Sequence, residues 1–233
     1  MWRKQGFALL LCFPALGLAE SWSGHADIGY TATSGNSDTK NLNAAFGVVY
    51  KLVKWKHALE LDVVRNEDSG AVSAERYGAE FQSNYALSDK SYLFGNIDWE
   101  KDEFGGVRER SSETIGYGRQ ILDKEKHKLA GELGIGPRQQ EFQDGSKEND
   151  FIGRLNMDYD WLLSDTATFT QDFTVESGSE NTFGESITGL KLKIVGNLAA
   201  KLTYTIRQNS DVPAGTEKRD TLTSVGVTYE FGS

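Results

Sequence analysis

Trp22-Ser23-Gly24-His25-Ala26-Asp27-Ile28-Gly29-Tyr30-Thr31-Ala32-Thr33 is the stretch that decides the fold. Trp22, Gly24, Ala26, Ile28, Tyr30 and Ala32 fall on one side of an extended chain. Ser23, His25, Asp27, Gly29, Thr31 and Thr33 fall on the other. Side chains of a strand alternate between two faces, so this segment makes one apolar and one polar face. A soluble two-sheet sandwich has the same alternation, and the choice rests on the series that follows.

The pattern recurs twelve times, near residues 22–33, 40–52, 55–66, 75–87, 91–101, 111–122, 127–138, 150–161, 166–177, 183–194, 198–209 and 220–231. Leu42, Ala44, Phe46, Val48, Tyr50 and Leu52 oppose Asn41, Asn43, Gly47 and Lys51. Phe151, Leu155, Met157, Tyr159 and Trp161 oppose Arg154, Asn156, Asp158 and Asp160. Val225, Val227, Tyr229 and Phe231 oppose Ser224, Gly226, Thr228 and Glu230. The tenth segment alternates poorly, and its register stays open by a residue.

Connections after even segments are short, such as Val53-Lys54, Ser88 to Lys90 and Val195 to Asn197. Those after odd segments, such as Glu67 to Ala74, Asp102 to Arg110, Gln139 to Asn149 and Ser210 to Arg219, are longer and more polar. Short periplasmic turns and longer outer loops are the asymmetry of bacterial outer-membrane barrels. Aromatic residues gather beside the short turns: Tyr50, Trp55, Tyr85, Tyr92, Tyr159, Trp161, Tyr229 and Phe231. Rings with an apolar body and a polar edge suit the headgroup zone. The expected fold is an all-β, closed antiparallel transmembrane barrel of about twelve strands over residues 20–233. It is to lie in the outer membrane of a Gram-negative bacterium after export through the periplasm.

Residues 1–19 read as a cleaved signal peptide. Arg3 and Lys4 precede an apolar run from Gly6 to Leu16, and Gly17-Leu18-Ala19 offers small residues at the cleavage site. That run is too short to span a bilayer as a helix. The only cysteine, Cys12, lies inside it, so the mature chain holds no disulfide or thiolate metal site. Loss of Arg3 and Lys4 takes the formal charge from -9 to -11, which argues against nucleic acid as a partner. No cofactor is expected.

Thr31-Ala32-Thr33-Ser34-Gly35-Asn36-Ser37-Asp38-Thr39, after Trp22-Ser23-Gly24 and Gly29-Tyr30, resembles the opening signature of the salt-induced outer membrane protein family of the YdiY type, a domain of unknown function. Asp98-Trp99-Glu100-Lys101-Asp102-Glu103-Phe104, Gly116-Tyr117-Gly118 and Glu132-Leu133-Gly134-Ile135-Gly136 resemble its central region. The resemblance covers the whole mature chain. It implies an outer-membrane barrel linked to salt or osmotic conditions and supplies no catalytic residues. Barrels commonly end on an aromatic residue that the barrel-assembly machinery reads, whereas here Gly232 and Ser233 follow Phe231.

In a barrel the inner face decides function. Alternation places Glu60, Asp62, Glu80, Asp98 and Glu100 inward on strands three to five, with Arg76 and Lys56 among them, and Arg154 and Asp158 inward on the eighth. Lys191, Lys193, Lys201 and Arg207 point inward on strands ten and eleven, roughly across the barrel. Opposed acidic and basic walls would set a field that selects small polar solutes or ions. Alternatively the charges pair with one another or line solvated rims. Glycines at 47, 78, 134, 136, 153, 189 and 226 either mark bends or make room in the lumen.

A barrel enzyme needs a serine, a histidine base and an orienting third group. His25, His57 and His127 belong to no lipolytic motif, so no catalytic activity is expected. The loops Asn66-Glu67-Asp68, Asp102-Glu103 and Asp144 to Asp150 lack the spacing of a calcium loop. Arg108, Arg110, Lys147, Lys218 and Arg219 could meet outer-membrane lipids and lipopolysaccharide. The reading is a narrow passive channel for small hydrophilic solutes or ions. Two alternatives stand beside it: a non-conducting barrel that stabilises the envelope, and a soluble periplasmic β-protein.

Overall fold

The computed structural model describes residues 21–33, 39–212 and 215–232. The expected leader with Cys12, the residues 34–38 of the family signature, and Ser233 lie outside them. Twelve strands follow in chain order: β1 (Ser21–Thr33), β2 (Thr39–Lys51), β3 (Trp55–Asp68), β4 (Ala71–Ala86), β5 (Ser91–Asp102), β6 (Val107–Asp123), β7 (His127–Phe142), β8 (Lys147–Ser164), β9 (Ala167–Ser177), β10 (Thr182–Val195), β11 (Leu198–Asn209) and β12 (Arg219–Gly232). Each pairs antiparallel with the next, and β12 returns to β1 to close the sheet. Closure is what lets a sheet cross a bilayer, since hydrocarbon offers no partner to an edge.

Partners across an antiparallel ladder share a face, so the registers trace each face around the cylinder. His25, Gly47, Glu60, Glu80, Asp98, Ser112, Arg138 and Asp150 stand opposite one another in turn and share the inner wall. Ile115, Leu133, Phe151 and Val225 on the outer face are 65–69% exposed, while the inner Asn96, Ser112, Thr114 and Arg138 are buried. That distribution is the reverse of a soluble protein's, where apolar faces meet each other. The soluble β-protein is therefore set aside, and the chain is a transmembrane barrel.

The outer aromatic residues line up near the short turns as a belt. Trp55 packs on Tyr85 with ring centroids 5.0 Å apart, and Trp22 packs on Phe231 at 5.7 Å. Tyr92 is a correction: it pairs with Ala86 and Gly118 on the inner face, and its hydroxyl donates to Glu132 Oε1 at 2.8 Å. It stands at a strand end, where a belt residue and a lumen residue look alike in sequence.

The loop asymmetry is also weaker than the sequence implied. β3 runs to Asp68 and β4 starts at Ala71, leaving Ser69-Gly70 as a two-residue turn with φ of 53° and 81°. Two positive φ values match the twist of a hairpin. The expected loops at 102–110 and 139–149 shrink to residues 103–106 and 143–146, because strand pairing continues through their polar residues. In the second, Ser146 donates to Asp144 from both backbone and hydroxyl, which holds that carboxyl below its usual range. Polar strand ends signal height above the hydrocarbon, and these ladders continue into water.

β10 settles in the register that puts Phe183, Glu185, Ile187, Gly189, Lys191 and Lys193 inward. Phe183 and Ile187 on a polar wall explain why its alternation reads poorly.

Inner glycines make room for neighbouring side chains. Gly116 and Gly134 face each other across β6 and β7, and the Phe94 ring lies over both; a Cβ on Gly134 would sit 2.8 Å from that ring and 3.1 Å from the Ile115 carbonyl oxygen. The neighbour on one side is backbone, so it cannot yield. Gly134→Ala should therefore cost about 1–3 kcal/mol by overpacking. Nothing lies within 4 Å of a Cβ on Gly153, so Gly153→Ala should be neutral or stabilising. Urea midpoints of the two variants in detergent check the contrast, and equal midpoints would refute it.

Candidate functional site

The lumen is crossed by three groups of polar contacts. The first joins β4, β5, β7 and β8. Glu132 accepts from Gln82 Nε2 and Tyr92 Oη, each at 2.8 Å, and from Arg154 Nη1 at 3.1 Å. Arg154 also reaches Glu80 at 3.7 Å, and Glu80 accepts from Asn96 Nδ2 at 2.5 Å.

The second group spans the full diameter. Glu100 on β5 is ion-paired with Arg207 on β11, strands six places apart in a ring of twelve. Arg110 lies 3.7 Å from the same carboxylate, and Arg207 Nε lies 2.9 Å from Glu185. The Phe183 ring fills the space between the guanidiniums, 3.5 Å from Arg110 and 5.1 Å from Arg207. A guanidinium over an aromatic face gains from the ring quadrupole.

The third group lies toward the outer end. Arg138 is fully buried, 3.6 Å from Asp150 and 3.7 Å from Glu176. It donates to the Asn181 carbonyl at 2.6 Å. Asn181 in turn accepts from the Asp211 amide and the Ser210 hydroxyl, each at 3.1 Å, so the β9–β10 connection is drawn inward and tied to the β11–β12 loop.

The registers put all of Glu60, Asp62, Arg76, Glu80, Asp98, Glu100, Arg154, Asp158, Lys191, Lys193, Lys201 and Arg207 on the inner wall. The basic wall does not stand free of the acidic one. Arg207 bridges to Glu100, Lys201 lies 2.5 Å from Asp27, Lys191 pairs with Glu230, and Arg76 is 3.7 Å from Asp62. Asp158 stands opposite Asp172, and Lys193 is exposed at the rim that carries the short turns. Asp98 lines the lumen with no ion pair or hydrogen bond among the described residues.

Several lumen residues escaped the sequence reading. Arg110, assigned to a loop that meets headgroups, points inward at 4% exposure because β6 begins at Val107. Glu132, Arg138, Glu176 and Glu185 follow the parity of their strands and could have been read from it. Phe183 gave no polar signal at all. Of the histidines, only His25 faces the lumen, 3.0 Å from Glu60 and 3.9 Å from Asp27. His57 stacks between Trp55 and Phe81 on the outer face, and His127 bonds the Tyr159 hydroxyl at 2.8 Å there. The loop carboxylates serve turns and neighbours: Asp102 accepts from the Phe104 and Gly105 amides, and Glu67 meets Arg65 and Lys40.

An apolar exterior, a sheet that returns on itself and a charged interior with a cavity of about 330 Å³ define a transmembrane β-barrel. A model of the family of unknown function DUF481 matches residues 26–231, and the chain belongs to that family. The uncharacterized protein YdiY of Escherichia coli (strain K12) is 32% identical over 211 residues, covering 90% of this chain and 83% of that one. Among solved structures, the NanC porin aligns over 91% of this chain and 97% of its own, with a TM-score of 0.51 and 11% identity, a likeness of fold. The translocator domain of the autotransporter NalP from Neisseria meningitidis aligns over 94% and 90%, with a TM-score of 0.46 and 16% identity.

Proposed function

We propose that this chain is an outer-membrane channel of low conductance that passes small hydrophilic cations across a Gram-negative envelope. The observation that carries this reading is the charge of the lumen cavity, whose wall holds eight carboxylates and five cationic side chains. A low-dielectric wall focuses such an imbalance on whatever enters, and rings of acidic groups are one way channels choose cations. Asp98, which lines the cavity and makes no ion pair or hydrogen bond among the described residues, is the carboxylate we assign to meet a passing ion. An even strand number leaves both ends of the barrel on one side, in keeping with assembly from the periplasm.

Planar-bilayer recording tests the proposal. Purified protein should give small current steps, and under a potassium chloride gradient the reversal potential should lie on the potassium side. Asp98→Asn should move that potential toward zero while leaving the barrel's heat-modifiable gel mobility intact. Absence of steps over a wide voltage range sinks the channel, and an unchanged reversal potential in the variant removes Asp98 from selectivity.

A second reading has its own observation. The Glu100–Arg207 bridge and the Phe183 ring fill the middle of the lumen, as expected of a barrel that stabilises the envelope without conducting. The exposed Lys147 and Arg219 would then serve contacts with lipopolysaccharide. A deletion strain with a salt-sensitive growth defect and unchanged permeability favours this reading.

A further inference from the structure

The barrel is closed unevenly. Neighbouring strands elsewhere pair over eleven to fifteen residues, whereas β1 and β12 pair over six, from Ser23 opposite Gly232 to Ile28 opposite Val227. Both strands continue above that point, β1 to Thr33 and β12 down from Arg219, each held by its other neighbour. Had the register continued, Thr31 would face Ser224 and Thr33 would face Leu222. Among the described residues neither pair forms.

The separation begins at two glycines. A Cβ on Gly226 would strike the Ile28 carbonyl oxygen, and one on Gly29 would come within 2.6 Å of the Val225 carbonyl oxygen. The backbones therefore touch there, and above that point no ladder pair joins the two strands. The gap opens at the upper edge of the apolar band, since β12 turns Thr223 and Thr221 outward above Val225. Tyr30 and Val225 flank it on the outer face at 62% and 65% exposure, and across β2 the apolar outer row still includes Leu42 opposite Tyr30. Unpaired amides and carbonyls at that depth cost several kcal/mol each if dry. They must be met from the lumen side, where the cavity reaches Asp27, Gly29, Leu222 and Ser224. The charged chamber thus borders lipid through an interval in which β1 and β12 form no ladder pair with each other.

We propose that the upper half of the β1–β12 seam is a lateral portal that admits the hydrocarbon chain of a single-chain amphiphile from the outer leaflet, its cationic or zwitterionic head resting in the lumen cavity. The excess of carboxylates on the cavity wall selects the head, and the apolar flanks Tyr30, Ile28 and Val225 suit the tail. The inference is independent of ion conduction, since a sealed pore could still hold an amphiphile at its wall.

The test uses the full-length chain with Cys12 replaced by Ser, refolded into vesicles. A bimane label at Ser224→Cys reports the seam, and one at Thr174→Cys reports the lumen wall away from it. The probe is lysophosphatidylcholine brominated on its acyl chain. Emission from the Ser224 label should fall saturably while that from the Thr174 label does not; equal quenching, or none, overturns the portal. Oxidation of Thr31→Cys/Ser224→Cys gives a second reading against Ala26→Cys/Tyr229→Cys in the paired half of the seam. The lower pair should cross-link and the upper pair should not. Cross-linking of both at one rate means a closed seam, and disulfide-linked dimers of Thr31→Cys alone mean that a second copy covers the edge. Either result overturns the proposal.

Discussion

Arg138→Met lowers the unfolding free energy of the barrel by about 3–5 kcal/mol, the cost of leaving buried carboxylates without their cation. The guanidinium has no exposed surface, and three acceptors converge on it: Asp150, Glu176 and the Asn181 carbonyl. Methionine fills similar volume and supplies no charge. Part of the loss is blunted, because Asp150 keeps the Ser179 amide and hydroxyl at 3.2 and 3.0 Å, and Glu176 keeps the Ser112 hydroxyl at 2.9 Å. The double variant Arg138→Met/Glu176→Gln should therefore recover some stability, since the sites are in contact and their effects do not add. Tryptophan fluorescence against urea in detergent measures the midpoint. A shift for Arg138→Met no larger than that of a surface substitution would mean that the outer network contributes nothing to holding the barrel.

Most of the architecture was legible because a period of two is written into each strand and a bilayer punishes any exception on the outer face. Ile28, Leu133 and Phe151 mark the outer face of their strands. The inner face is under no such rule. It tolerates Phe183, Phe94 and Tyr92 wherever a glycine or a guanidinium accepts their rings, so an inner aromatic looks like a belt residue or a register slip. Strand ends were the other weakness. Above the hydrocarbon the outer face becomes polar and the alternation disappears, although backbone pairing continues. That is why β6 appeared to start after Arg110 and why this arginine was assigned to a loop.

Long-range partners could not be read at all. Strand parity places Glu100 and Arg207 on the inner wall, but whether two side chains meet across a cylinder depends on stagger and on cross-section. Neither has a local sequence signal. The same holds for the short β1–β12 seam, since β1 alternates up to Ala32 while β12 loses its alternation above Val225, and neither pattern says where their mutual register ends.

Arg207→Ser should raise single-channel conductance, because it removes the strut that crosses the lumen from β11 to Glu100 on β5. It also takes away one of the two guanidiniums packed on Phe183, freeing the ring to turn aside. The wall should survive, since its backbone ladders do not depend on this side chain, and Arg110 remains 3.7 Å from Glu100. Glu100→Gln cuts the same strut from the other end and should also raise conductance. The two variants must differ in sign of selectivity. Losing the arginine leaves the cavity more negative and strengthens cation preference, whereas losing the carboxylate leaves Arg207 with Glu185 as its ion-pair partner, makes the cavity less negative and weakens that preference. Debye screening at 1 M salt reaches about 3 Å, but Arg207 is buried and the Glu100 side chain is 15% exposed, so the contrast should persist there. Equal reversal potentials would show that these charges act on the width of the path alone, and unchanged conductance in both would place the constriction elsewhere.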